Sequence, residues 1–325
     1  MQSRTSQVAP PAAAGIFALI AGAASALALK PLLMIVPLLF DAFLWLGPKI
    51  TPSPLTLPVT NWIRRSAGES STDDVSSVID GMQRITDVSP VIALFVPSLL
   101  VGIDQATLGT IWNRSTLEPT SGWLVLPIAV AVVMLGICAG MVFRVALAHV
   151  ILEESLSWFG RVRAVARASA SYAVFIVLIL CAIVAIAVPV SIVGVIALAI
   201  GINLAPLLGL IVGLPVVAAA ILLSFVPEAI AVAKAGPIRA CYLSFSVVRR
   251  NLWPSIGFVA VVGLTSSGLT LALQNVVGSP VGVVISIVLY AFVGTSLALA
   301  QMEFFYDRLR RWRVDLAPAE SRLSA

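Results

Sequence analysis

Charge is scarce in this chain. Of its 325 residues, 11% are Asp, Glu, Lys or Arg, against 60% hydrophobic. A soluble domain carries roughly a quarter charged residues, so this little charge cannot cover the surface of a water-soluble globule, and that class is excluded. Disorder is excluded as well, because it needs low hydrophobicity and high charge. Histidine is reduced to His149 alone, which excludes any multi-histidine metal site. The three cysteines, Cys138, Cys181 and Cys241, form no Cys-x-x-Cys pair, and two of them lie inside apolar runs. Neither a disulfide framework nor a zinc site is supported. Gly-x-Ser-x-Gly, the P-loop, His-Glu-x-x-His and the Gly-rich dinucleotide fingerprint are all missing. The sequence therefore offers no catalytic, cofactor-binding or metal constellation.

What the chain has is uninterrupted apolar length. Sixty consecutive residues between Arg167 and Glu228 carry no charge, and neither do 52 between Arg250 and Glu303. A membrane span takes about 20 mostly apolar residues, so each block holds two spans and a turn. Gly, Asn and Pro place the turns at 201–206 and 274–280. A further span runs from Trp123 to Phe143, and a first one from Pro31 to Leu46. The expected fold is all-α: a polytopic transmembrane helical bundle of about six spans, at 31–46, 122–143, 172–199, 204–226, 255–273 and 281–301.

The basic residues decide orientation. Segments 144–170 and 227–254 hold four Lys/Arg each and the tail after Gln301 holds five, whereas 200–203 and 274–280 hold none. By the positive-inside rule, both termini are expected in the cytoplasm of a cell membrane. The excess of basic residues, 20 against 15 acidic, is thus topological, and no nucleic-acid partner is implied. Arg4, Ile16–Ala24 and Ala26-Leu27-Ala28 imitate a signal peptide. Cleavage there would leave about 15 apolar residues for the first span and an exterior N-terminus, against the charge pattern, so we expect no cleavage.

The organisation read from the sequence is an N-terminal cytoplasmic or interfacial helix at 1–30, the first span at 31–46 and an outer segment at 47–121. A five-span bundle at 122–301 and a basic cytoplasmic tail at 302–325 complete it. Within the outer segment, Ser71-x-x-Asp74 and the apolar spacing of Val75, Val78, Ile79, Met82 and Ile85 predict an amphipathic helix at 72–86. The run 91–103 is apolar but has only 13 residues, so it packs on the bundle rim or re-enters the membrane. Mixed segments precede the odd spans at Ile16–Lys30, Ile151–Ala170 and Glu228–Asn251. They form a weak repeat of interfacial amphipathic helix plus hairpin.

Asp41 is the one charge well inside an expected span. An ionisable group there is a functional candidate by default, as a proton or cation relay, but capping a backbone group, bonding a neighbouring Ser/Thr or reaching water is the favoured account. With Asn203, Gln274 and Asn275 it outlines a polar path. Arg144 and Glu303 read as snorkelling or locally paired groups near the cytoplasmic ends. Glu153-Glu154 and the heptad-spaced Asp73, Asp80 and Asp87 read as solvated helix faces. Arg249, Arg250, Arg308, Arg310, Arg311 and Arg313, interleaved with Trp253, Tyr306 and Trp312, suit anionic lipid headgroups or plain topological anchoring.

The stretches Arg250-Asn251-Leu252-Trp253 and Tyr306-Asp307-Arg308-Leu309-Arg310 resemble the membrane domain associated with bacterial glycerophosphoryl diester phosphodiesterases, and related six-span bacterial inner-membrane families. That resemblance covers the last third best and implies a helical bundle. It does not imply the hydrolase, whose separate soluble barrel has no room here, and the outer segment 47–121 departs from it. The leading functional expectation is a non-enzymatic accessory, lipid-interacting or complex-forming membrane component, with lipids and a membrane-protein partner or second copy as its contacts. The rivals are a small-solute or ion transporter using the Asp41 path and, further off, an intramembrane lipid-acting enzyme.

Overall fold

The computed structural model describes residues 15–51, 58, 60–61, 65, 89–93, 95–103, 114–117, 121–153, 157–200, 202 and 204–323. It is 84% helical with almost no strand. The elements in order are α1 (Ile16–Leu29), a 3-10 turn (Pro31–Met34), α2 (Ile35–Leu46) and β1 (Lys49–Ile50). A second 3-10 turn (Ser89–Ala93) and β2 (Thr116–Leu117) precede α3 (Gly122–Leu152), α4 (Trp158–Ala199) and α5 (Ala205–Leu222). The chain ends with α6 (Val226–Ala233), α7 (Pro237–Arg250), α8 (Leu252–Gln274) and α9 (Pro280–Leu323). The predicted helix at 72–86 lies outside the described residues.

Five helical segments are long and apolar enough to span a membrane: Trp123–Leu152, Trp158–Gly194, Pro206–Ala233, Leu252–Gln274 and Pro280–Trp312. A sixth arises if α1 and the 3-10/α2 unit, bent by 101° at their junction, count as one. The bend changes the reading of the first span. α2 by itself is roughly 18 Å long, short of the ~30 Å hydrocarbon core, so 31–46 is not a complete span on its own. Lys30 breaks the helix just before Pro31, which has no N–H to offer and is tolerated only in a first turn.

The mixed segments also differ from expectation. Ile151–Ala170 is not a separate helix. Its first two residues end α3, the left-handed Glu153 (φ 51°) turns the chain, and 158–170 open the 42-residue α4. No breaker stands between Arg167 and Tyr172, so the helix simply continues. Glu228–Asn251 is divided at the left-handed Lys234 (φ 52°) and Pro237 into α6 and α7. Seven of the eight residues of α6 are buried, Glu228 among them.

Burial is uneven. α9 is the central helix, with 61% of its most apolar 18-residue stretch buried, whereas the figure is 6% in α4 and 0% in the 206–233 span. α1 makes its most extensive packing against α9. One core, at the end where α3 finishes, gathers Met141, Phe143, Phe225, Phe258, Phe304 and Phe305, with Phe258 and Phe304 stacked at 4.9 Å between centroids. A second core holds Leu44, Leu99, Leu100, Ile103, Leu273, Val277, Ile287 and Tyr290. The α8–α9 turn beside it requires a glycine, since a Cβ on Gly282 would lie 1.9 Å from the Val276 carbonyl oxygen.

Residues 89–93 and 95–103 are neither span nor rim. They run into the bundle against α2 and α3, burying Leu99 and Leu100 completely. Two helix glycines admit them. A Cβ on Gly140 would stand 2.6 Å from Phe95 Cβ, and one on Gly294 would stand 2.6 Å from Pro97 Cβ. Gly140 is roughly 27 Å along α3 and roughly 18 Å from its end, and Gly294 roughly 21 Å along α9, so the tip of this inserted segment sits at mid-helix depth. The two ends of the outer segment are tied together by a parallel β1–β2 pair, Lys49 opposite Thr116 and Ile50 opposite Leu117. The buried Arg114 reinforces the tie: Nε donates to the Gly47 carbonyl (2.8 Å), and an Nη donates to the Pro48 carbonyl (3.2 Å) and to Ser89 Oγ (3.1 Å).

Candidate intramembrane polar sites

Asp41 is fully buried on α2 and accepts three hydrogen bonds from the inserted segment. Ser98 Oγ donates to Oδ1 at 2.5 Å, the Leu99 N–H to Oδ2 at 3.2 Å and the Leu100 N–H to Oδ1 at 3.3 Å. The carboxylate thereby satisfies backbone donors that would otherwise be orphaned where the chain turns inside the bundle. Of the other residues on the expected polar path, Gln274 is half-buried and Asn275 exposed at the end of α8. Neither is a hydrogen-bond partner of Asp41 among the described residues, and Asn203 lies outside them. Among the described residues, the hydrogen bonds that Asp41 accepts all come from the inserted segment.

A different polar site lies where the two cores meet. Arg144 on α3 pairs with Glu228 on α6 through a direct hydrogen bond from the guanidinium to Oε1. Glu228 is fully buried, and its Oε2 has no hydrogen-bond partner among the described residues. Arg144 also faces a cavity of about 230 Å³ lined by α3, α8, α9 and the tip of the inserted segment at Phe95, Val96 and Pro97. Ser266, Tyr290 and Gln301 supply the other polar lining. Gln301 is held by a bond from its Nε2 to the Ser224 carbonyl (3.2 Å). Thr270 and Ser266 stand beside the Tyr290 hydroxyl, within electrostatic range of Asp41. Tyr172, edge-on to Phe95 at 5.8 Å, lies within electrostatic range of both Arg144 and Glu228. Small residues make the room: Gly294 and Ala298 line the wall that α9 presents.

Sequence reasoning missed this site because no local signal announces it. Arg144 and Glu228 are 84 residues apart, and each ends an apolar stretch where a boundary charge is ordinary. Ser266, Tyr290 and Gln301 are scattered through an uncharged block. The useful hint was Gln301, a large amide at the end of an otherwise apolar run.

A third feature is an apolar groove of about 610 Å³ between α3 and α4, lined by Cys138, Val142, Val145, Ala146 and His149 on one side and Trp158, Arg161, Val162, Val165, Ala166 and Ser169 on the other. Next to it, sharing Val145 and His149, is a small recess reached by Arg167, Ser171 and Lys234. His149 Nδ1 lies 2.6 Å from the Val145 carbonyl oxygen, and its Nε2 is buried without a partner among the described residues. One basic side chain, Arg161, thus lines the apolar trough, and two more, Arg167 and Lys234, line the recess next to it.

The expected headgroup arginines are divided between roles. Arg249 and Arg310 are exposed. Arg250 lies over the Trp312 ring at 5.0 Å, joining α7 to α9. Arg311 bonds Asp307 at 3.0 Å one turn back, and Arg308 packs over Phe304 at 5.2 Å. The side chain of Arg313 lies outside the described residues. The chain matches no protein-family model, no curated protein and no solved structure.

Proposed function

We propose that this protein is a lipid-interacting, non-enzymatic component of a cell membrane, holding an anionic phospholipid in the groove between α3 and α4. The observation that carries this reading is the trough itself. Its lining from Cys138 to His149 runs roughly 16 Å along α3, commensurate with much of an acyl chain. Arg161 in the groove, with Arg167 and Lys234 in the recess next to it, supplies the cations that a phosphate would meet. Basic residues flanking an apolar intramembrane surface attract anionic headgroups. The resemblance to phosphodiesterase-associated membrane domains belongs to this proposal in its bundle alone, without the hydrolase.

In this reading both termini are cytoplasmic and the segment 47–121, apart from the part inserted into the bundle, faces outside. Reporter fusions at positions 80, 160, 202 and 318 test that: only 80 and 202 should report outside. The lipid is tested by native mass spectrometry of the gently extracted protein, beside an Ala166→Trp variant that fills the groove. Retained anionic lipid that the variant loses supports the proposal. A lipid-free protein, or equal lipid on both, overturns it.

Complex formation has its own support. Between Pro206 and Ala233 the span's most apolar stretch has no buried residue, and α4 beside it has few. A helix pair apolar on all sides and packed on few is suited to lipid or to another protein. A stable co-purifying chain in the same spectra, lost when Gly209 and Gly213 are replaced by arginine, would establish the protein partner.

A further inference from the structure

We propose that the cavity beneath the inserted segment, bounded by Arg144, Ser266, Tyr290 and Gln301, binds a small oxyanion of the carboxylate or phosphate class. Its location is distinct from the α3–α4 groove, so it stands whether or not that groove holds lipid.

The argument starts from the cation. A guanidinium presents five N–H donors in a planar fork suited to carboxylate and phosphate. Among the described residues, the only hydrogen-bond acceptor on Arg144 is Glu228 Oε1, so most of the fork is left for the cavity it lines. Charged groups inside a membrane protein persist where they pair or where they serve a solute. Glu228 does the first. It is not among the residues lining the cavity, and it bonds one nitrogen of the Arg144 guanidinium. Ser266 and Tyr290 add hydroxyls, and Gln301 adds an amide at a position fixed by Ser224. Tyr290 and Gln301 are separated by roughly 16 Å along α9, so the polar lining runs lengthwise along that helix toward the end where α3 finishes.

Donor chemistry selects the ligand. Among the described residues the lining offers one cation and several neutral donors and no carboxylate; the nearby acids are engaged elsewhere, Asp41 by Ser98, Leu99 and Leu100, and Glu228 by Arg144. A metal ion would meet a guanidinium instead of oxygens. An oxyanion would meet a preorganised fork in a low-dielectric site, where charge-assisted hydrogen bonds are strong. Glu228 opposes that attraction, since its charge already compensates Arg144. Removing the charge at Glu228 while keeping the shape should therefore tighten binding, which a purely structural ion pair would not predict.

The test uses the full chain purified in detergent. Phosphate and acetate are each titrated by equilibrium dialysis, with sodium ion as the cation control, and the organic-phase phosphorus that co-purifies is measured in parallel. Three variants are compared with the wild type: Glu228→Gln, the double variant Arg144→Gln/Glu228→Gln, which leaves no lone buried charge, and Tyr290→Phe. The expected result is saturable binding of phosphate or acetate, tightened about tenfold in Glu228→Gln, weakened about tenfold in Tyr290→Phe and abolished in the double variant. If the soluble anions do not bind but the double variant loses co-purified phospholipid, the oxyanion is a lipid headgroup. The proposal is overturned if neither soluble anion nor phospholipid depends on Arg144, if sodium competes for the site, or if Glu228→Gln binds no tighter than wild type. Folding of each variant is checked by its gel-filtration profile, and Tyr290→Phe, which removes only a hydroxyl, keeps the test decisive if the charge variants aggregate.

Discussion

Ser98 donates its hydroxyl hydrogen to Asp41 across 2.5 Å, joining residues 57 positions apart at the point where the inserted segment turns within the bundle. With the backbone N–H groups of Leu99 and Leu100 on the same carboxylate, this contact makes Asp41 the clamp of that segment. Asp41→Ala strands two buried backbone donors and a hydroxyl, each costing about 1–3 kcal/mol when unsatisfied. We expect a loss of roughly 3 kcal/mol or more in thermal unfolding and faster amide exchange at 95–103. Asp41→Asn keeps one acceptor oxygen and should fall between wild type and Ala. If Asp41→Ala leaves exchange at 95–103 unchanged, the clamp does not hold the segment.

Gly140 and Gly294 should be intolerant of any side chain. The Cβ of alanine would come within 2.6 Å of Phe95 and of Pro97, and overpacking of this kind costs about 1–3 kcal/mol. Gly209 and Gly213 on α5 provide the contrast, since a Cβ there meets nothing within 4 Å. Alanine at either should be neutral or stabilising by roughly 1 kcal/mol, through helix propensity alone. Thermal melts of the four single variants check the pattern, and a destabilised Gly213→Ala with an unaffected Gly140→Ala would contradict the placement of the inserted segment.

These first two expectations mark the limit of what was legible. The charge-free blocks of 60 and 52 residues led directly to the spans formed by α4, α5, α8 and α9, because a bilayer-length apolar run permits little else. Asp41 was legible as an anomaly for the same reason. Its partners were not, because Ser98, Leu99 and Leu100 sit in a 13-residue run whose insertion depends on two glycines on other helices. Helix continuity was misjudged at 151–170, where charge suggested a separate interfacial helix. Backbone propensity across Ala168-Ser169-Ala170-Ser171 offers no break there. Its place at the end of an apolar block puts Glu228 at the start of an interfacial helix, whereas a distant arginine on α3 allows it to be buried.

Arg114 should govern the outer segment. Its guanidinium reaches the Gly47 and Pro48 carbonyls and Ser89 from beside β2, so one side chain spans both ends of 47–117 and the entry to the inserted segment. Lysine cannot reproduce this multidentate geometry. Arg114→Lys is expected to lose about 2 kcal/mol and to make the outer segment more susceptible to limited proteolysis, while the cleavage pattern after residue 121 stays as in wild type. Equal protease resistance in the two proteins would remove Arg114 from this role.

The Arg144–Glu228 pair makes an asymmetric prediction about stability, separate from any ligand. Glu228 is fully buried and Arg144 is partly exposed to its cavity. Removing the arginine leaves a carboxylate with no counter-charge in the core, whereas removing the glutamate leaves a cation that still faces open space. Breaking a buried pair from one side typically costs about 3–5 kcal/mol. Arg144→Gln should therefore approach that full cost, and Glu228→Gln should cost clearly less. Arg144→Gln/Glu228→Gln should recover much of the loss seen in Arg144→Gln alone, since the desolvated charge is gone. A double-mutant cycle read by thermal unfolding in detergent, without added anion, measures the coupling. If the two single variants lose equal stability and the double variant loses their sum, the residues act independently, and the guanidinium is not held at the cavity by Glu228.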